Sequence, residues 1–233
     1  MRWKQREIKA LAPVLAQIRA DLEPLAGKHI LVLCSAAGEV AFSLSGGIGQ
    51  GQIMGLELSD ELLKQAQASA KHKGLGKAVS FQKAEINRIP LPDESFDALV
   101  SEFIVFPTPA PTQIGQPEMA RVLKPGGRMA ITDVIVTRPV SPEVRQELKA
   151  IGLDYLCEGT ADDFRAWMHE AGLTGIEVVD LTPVVKTVWE GRRRQDPAPE
   201  HRLGYSLLLD DSPVRLGEGL FYIYARGARP GGS

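Results

Sequence analysis

The segment Ile30-Leu31-Val32-Leu33-Cys34-Ser35-Ala36-Ala37-Gly38-Glu39-Val40, with Ile53-Met54-Gly55-Leu56-Glu57 after it, decides how this chain folds. Ile30 to Leu33 is a short apolar run of the kind seen in parallel-sheet strands buried on both faces. Gly38 falls in the turn that follows, and Glu57 closes the second apolar run. Nineteen positions separate Gly38 from Glu57. In a βαβ nucleotide-binding unit, an acid about 20 residues beyond the glycine turn meets the ribose hydroxyls. The spacing points to a nucleoside-binding site. Gly47-Ile48-Gly49-Gln50-Gly51 also matches a glycine-rich pattern by letters, but it comes just before the second strand. Six positions from Gly51 to Glu57 leave no room for a helix, so this run reads as a connection.

A chain of 233 residues makes one large domain and buries about three quarters of its unfolded surface. Its 44% hydrophobic and 24% charged residues are ordinary for a globular protein. A net charge of −2 gives no electrostatic reason to expect nucleic acid or an anionic membrane as partner. No apolar run is long enough to span a bilayer, and Met1 to Glu7 lacks a secretory apolar core, so a cytoplasmic location is expected. Two cysteines are too few for a disulfide framework or a thiolate cage, and the four histidines show no ligand spacing. No metal is expected.

Trp3 to Leu25 carries apolar residues at helical intervals (Ile8, Leu11, Leu15, Ile18, Leu22), with Pro13 predicting a break near the middle. This divides the chain into an N-terminal helix, 1–27, and one domain, 28–233. The helix is expected over the cofactor cleft or against the sheet edge. Ser59 as N-cap, Asp60 and Glu61 in the first turn and Gly74 after the last predict a helix over 60–73. Strands are predicted at Val79–Ala84, Asp97–Ser101 and Met129–Val136. Four prolines between Phe106 and Pro117 predict a surface loop, with helix resuming at Glu118 and stopping at Lys124-Pro125-Gly126-Gly127. A helix is expected from Ser141 to about Leu156, and a capping box at Thr160 to Asp163 opens another that ends near Gly172. Ile176–Leu181 and Leu220–Ala225 read as the last strands, with an insertion over about 183–219 between them. Within it, Arg192-Arg193-Arg194 reads as a solvated helix end or an anion contact. Arg229 to Ser233 reads as a disordered tail or a cloning remnant.

These segments, in this order, resemble the class I S-adenosylmethionine (SAM)-dependent methyltransferases of the small-molecule type, the group of the quinone-biosynthesis and arsenite enzymes. The most specific matches are Glu118-Met119-Ala120-Arg121-Val122-Leu123-Lys124-Pro125-Gly126-Gly127 with Met129-Ala130-Ile131-Thr132-Asp133, and Ile89-Pro90-Leu91-Pro92-Asp93-Glu94-Ser95-Phe96-Asp97. The resemblance covers about residues 28–182. It implies an α/β fold: a Rossmann-like, doubly wound, seven-stranded sheet with its last strand antiparallel between the fifth and sixth. It implies S-adenosyl-L-methionine as cofactor and S-adenosyl-L-homocysteine (SAH) as product. Carried over, Glu57 holds the ribose, Leu58 lies beside the adenine, and Glu85 with Ile86 meets its edge. Ala36 and Gly38 form the turn, and Ser101 and Glu102 face the methionine part and the acceptor. Each has a structural alternative: Glu57 as an acid near a helix start, Glu85 as a solvated loop acid, Ser101 as a strand-end hydroxyl.

The turn departs from the family. Cys34 stands at the usual acid, Ala36 at the first glycine and Val40 at the third. A valine does not adopt positive φ cheaply, so weaker cofactor binding is expected, with Glu39 as a stand-in for the lost charge. Displacement at a sulfonium needs positioning and water exclusion more than acid–base groups, which leaves Glu102, Asp154, Tyr155 and His201 as weak catalytic candidates. Cys157 lies where the arsenite enzymes carry a cysteine. Trivalent arsenic wants several thiolates, which disfavours that substrate. Phe103 to Phe106, Trp167, Trp189 and Leu207 to Leu209 would suit a lid over a hydrophobic small molecule, or plain core. Methyl transfer to a small organic acceptor is the leading expectation. A non-catalytic binding protein on the same fold is the alternative, and a nicotinamide enzyme a distant third.

Overall fold

The computed structural model describes residues 11–33, 37–85, 88–102, 112–153 and 156–232. The parallel strands β1 (His29–Leu33), β2 (Gln52–Glu57), β3 (Val79–Lys83), β4 (Phe96–Glu102) and β5 (Leu123–Val136) form one sheet with β6 (Cys157–Glu158), β7 (Thr174–Asp180) and β8 (Leu220–Ala228). The order is β3-β2-β1-β4-β5-β8-β7, with β6 paired to β5. β8 runs antiparallel to both β5 and β7, as the resemblance implies. The two-residue β6 is an addition to the expected seven strands, and it occupies β5's edge beyond the end of β4.

Two apolar layers flank the sheet because alternate strand residues face opposite sides. Ile30, Val32, Ala98 and Val100 pack with α1 (Ala12–Leu22) and α2 (Glu39–Ser45). Leu31, Leu33, Leu99 and Ile131 pack with α4 (Thr112–Val122) and α6 (Ala161–Glu170). The helix α3 (Asp60–His72) starts at Ser59, whose hydroxyl accepts the Leu62 N–H as expected. The Thr160 capping box opens α6, also as expected.

Several expectations fail for local reasons. Pro13 does not break a helix; it sits in the first turn of α1, where its missing N–H costs nothing. α1 lies on the face of the sheet above inner strands, not at an edge, and the part of the predicted helix before Leu11 lies outside the described residues. Helix α4 starts at Thr112 and runs through Pro117, so the surface loop expected up to Pro117 ends earlier. α5 (Pro142–Ala150) stops short of Leu156. The tail is held: the Arg229 guanidinium donates to the carbonyls of Ala120, Arg121 and Leu123, and pairs with Glu94 at 2.7 Å.

The insertion folds into α7 (Thr182–Arg193), a 3-10 turn at Pro199–His201 and α8 (Arg202–Leu209). Trp189 is buried and donates its indole N–H to the Tyr222 hydroxyl of β8 at 2.9 Å. Trp167 packs edge-on to Phe164 in the opposite layer, so the two tryptophans do not share a lid. The arginine cluster closes α7 as a helix end: Arg193 and Arg194 are exposed there, Arg193 paired with Asp210, while Arg192 departs from the expectation by being buried with its guanidinium 4.9 Å from the Trp189 ring.

Candidate cofactor cleft

Chain order reverses between β1 and β4, because β2 and β3 are added on one side of β1 and β4 on the other. Open α/β sheets bind ligands at such a switch point, outside the carboxyl ends of the strands. Registers place the candidate residues on this rim. Leu33 at the end of β1 pairs with Leu56 on one side and Ser101 on the other, and Glu57 is one residue further along β2. Two strand spacings put Glu57 and Ser101 about 10 Å apart across the end of β1.

Gly38 is the N-cap of α2 with φ of 97°, a conformation that favours glycine. A Cβ there would lie 2.7 Å from the Phe42 ring and 2.8 Å from the Phe81 ring. Those rings meet edge to face, 5.8 Å apart, and Lys73 lies over Phe42. The turn is therefore glycine for space as well as for φ. Val40 lies inside α2, buried in the core, so the expected conflict between valine and positive φ does not arise. Ala36 and Cys34 lie outside the described residues.

Glu57 is only 3% exposed, and its Oε1 accepts the N–H groups of Leu58 at 2.8 Å and Ser59 at 2.9 Å. Two charge-assisted bonds fix the carboxylate at the tip of β2. Leu58 beside it is 44% exposed, an apolar surface at the rim. Glu85 is exposed and bridges to Arg88 through the backbone, away from any charged partner among the described residues. Ile86 lies outside them.

Ser101 is fully buried, and among the described residues its hydroxyl has no hydrogen-bond partner. Glu102 follows it in the backbone of β4, opposite Thr132. Two further buried polar residues share Ser101's side of the sheet, and the sequence reading missed both. Gln116 on α4 is 1% exposed, with neither amide atom partnered among the described residues. Asp133 lies on β5 between Ile131 and Ile135, which pack in that layer, and accepts the Val134 N–H at 2.7 Å. The signal for Gln116 was its spacing of three and four from Met119 and Ala120, hidden by reading Pro117 as loop.

Of the catalytic candidates, Asp154 and Tyr155 lie outside the described residues. His201 sits in the insertion with its Nδ1 2.7 Å from Asp196, whose carboxylate also accepts the Tyr205 hydroxyl at 3.0 Å. Burial pushes the Asp196 carboxyl up, but hydrogen bonds from His201, the Ala198 N–H and Tyr205 outweigh it and hold it below the usual range. Cys157 is buried in the second layer. Among the described residues, no group of three His, Cys, Asp or Glu could hold a metal, and no helix is long and apolar enough to cross a membrane.

A family model described as a methyltransferase domain matches residues 25–175. The chain is 30% identical over 153 residues to an arsenite methyltransferase of Halobacterium salinarum, covering 65% of this chain and 39% of that protein. It is 36% identical over 122 residues to a 2-phytyl-1,4-naphtoquinone methyltransferase of Synechococcus elongatus, covering 52% and 51%. The chain thus spans about half or less of these relatives' lengths. Its fold is similar to that of geranyl diphosphate C-methyltransferase from Streptomyces coelicolor, solved with Mg2+, geranyl diphosphate and S-adenosyl-L-homocysteine. There the TM-score is 0.75 at 15% identity, over 97% of this chain and 86% of that one.

Proposed function

The chain belongs to the methyltransferase-domain family, and from that premise we propose that it transfers a methyl group from SAM to a small organic acceptor. The observation that carries this reading is the buried, doubly braced carboxylate of Glu57 at the tip of β2. An ionised acid that has already lost its water is suited to accept hydrogen bonds from paired hydroxyls, and the ribose of SAM offers two. The residues of the rim fit the rest of the molecule. Leu58 offers an apolar face for the adenine, Gly38 turns the chain close to the ligand, and Ser101 has a hydroxyl left over for the methionine part.

When bound, SAM supplies a methyl group on a sulfonium, which leaves readily. The protein's work is then to hold the acceptor in line and to exclude water. The substrate of the arsenite relative does not carry over. Of the chain's two cysteines, Cys157 is buried in the core, and trivalent arsenic prefers several thiolates. An acceptor of carbon, nitrogen and oxygen is favoured.

Calorimetry with SAH on the wild type and on Glu57→Gln tests the reading. The variant keeps an oxygen for the Leu58 and Ser59 N–H groups but loses the charge. A 10- to 100-fold weaker SAH affinity is expected, the value of one or two charge-assisted bonds at about 1.5–3 kcal/mol. Absence of SAH binding by the wild type would overturn the proposal. A panel of phenols, quinones and amines with labelled SAM then separates transfer from binding alone.

A further inference from the structure

We infer that Gln116 selects the methyl acceptor: its buried carboxamide pairs with a neutral carboxamide or lactam group on that molecule. The inference deepens the methyltransferase reading above and rests on it.

The first observation is an amide with nothing to bond. Gln116 is 1% exposed, and neither its Oε1 nor its Nε2 has a partner among the described residues. Burying both atoms unpaired costs stability. Met119 and Ala120, on the same stripe of α4, are apolar and packed in the second layer, so the helix itself has no need of an amide here. A leucine would fill the space without the cost. A side chain kept against that cost is suited to a partner that comes from outside.

The second observation is its place. α4 follows β4, and its last residue, Val122, leads into Leu123, which pairs with Phe96 at the start of β4. The helix therefore runs down from the carboxyl-end rim. Gln116 stands about 9 Å up the helix from Val122, and Ser101 about 16 Å up β4 from Phe96. A helical side chain leans toward its own N-terminus, here toward the rim, which narrows the difference. Ser101 alternates with Leu99 and so faces the same layer, where its buried hydroxyl also lacks a partner among the described residues. The two side chains do not bond each other. Across the sheet the order is β2, β1, β4, β5, and α4 packs on β5. With the ribose at Glu57 and the methionine part at Ser101, Gln116 is next in line, past the sulfonium. Water alone satisfies some buried amides; a place on the acceptor's side of the cofactor favours the acceptor here.

The third observation is chemical. A carboxamide presents a donor and an acceptor side by side, and a second carboxamide or a lactam presents the complementary pair, giving two reciprocal bonds. A charged group would lose its water among Leu33, Leu99 and Met119 for a neutral partner. Asp133, buried in the same layer, disfavours an anion further. A ketone of the same shape fills one amide atom and leaves the other unpaired, which is how a buried amide discriminates. The paired group is a handle, and the methylated atom lies elsewhere on the acceptor.

The test uses the full chain saturated with SAH and three probes of one shape: benzamide, acetophenone and benzoate. Affinities are read by ligand-observed NMR titration. Wild type should bind benzamide at least about tenfold more tightly than acetophenone or benzoate. Gln116→Leu should bring benzamide and acetophenone to within about twofold of each other, with SAH affinity within about twofold of wild type. Gln116→Met should do the same and serves if the leucine variant does not fold. Equal binding of benzamide and acetophenone to the wild type, no binding of benzamide, or a preference that survives the substitution overturns the inference. So does a crystal of the SAH complex soaked in benzamide in which an ordered water still holds the Gln116 amide. Those outcomes leave SAH binding intact and remove this inference alone. Failure of the wild type to bind SAH takes the methyltransferase reading down, and this inference with it.

Discussion

At the scale of single residues, the rim combines one position under strict steric control with others that carry a standing cost. Gly38 was legible, because a lone glycine after a buried strand has few other uses. Glu57 was legible from its spacing. Gly38→Ala should cost more than about 2 kcal/mol, from left-handed φ and from contact with two aromatic rings. The measurement is urea unfolding at equilibrium, and a loss under 1 kcal/mol would mean the turn relaxes freely. Gln116 was not legible, since its burial depends on a helix that Pro117 argued against. An amide buried with neither atom paired pays desolvation with no return. Gln116→Leu should therefore stabilise the ligand-free protein by about 1 kcal/mol, a rise in Tm of about 2–4 °C. A fall in Tm would show that the amide is bonded within the fold.

At the scale of elements, α1 is fastened to the sheet more by charge than its sequence suggested. Its apolar stripe was readable, but its partner strand was not. Asp21 accepts the Tyr224 hydroxyl at 2.6 Å and pairs with Arg226 of β8, while Arg128 of β5 donates to the Asp21 and Glu23 carbonyls at the helix end. These contacts are 100 residues or more apart in sequence, so no local pattern announces them. Burial raises the Asp21 carboxyl, but the hydrogen bonds from Tyr224, Gln17 and Arg226 win and its folded pKa lies below 3.8. A depressed folded pKa gives stability that is present above about pH 4 and lost as pH falls through the folded value. Asp21→Asn should then be less stable than wild type by about 1–3 kcal/mol at pH 7, a gap that narrows below pH 4. Acid titration of both proteins by circular dichroism checks this. A gap that does not change with pH would mean that shape, and not charge, holds the helix.

At the scale of the whole molecule, a mostly parallel, doubly wound sheet was legible from strand–helix alternation, while the antiparallel last strand between the fifth and sixth came only with the family resemblance. The helices of the insertion were not legible, since α7 and α8 are short, pack on β8 and α5 far away in the chain, and are separated by Pro197 and Pro199. The fold places Gly38, Glu57 and Ser101 at one end of the sheet and leaves the other end to the Arg229 and Arg121 fastenings. Ligand binding should be felt unequally as a result. SAH at 100 times its Kd should add about 2.7 kcal/mol to the unfolding free energy, or about 5–10 °C in Tm. Glu57→Gln at the same SAH concentration should lose about half of that gain, because a tenfold weaker Kd leaves only a tenfold excess. Hydrogen exchange locates the effect: SAH should slow exchange in residues 37–45, 57–60 and 98–101. It should leave Lys124 to Arg128, at the far end of β5, unchanged up to the limit set by global unfolding. Equal protection at both ends would mean that the ligand acts only through global stability, and the rim would lose its standing as the place of contact.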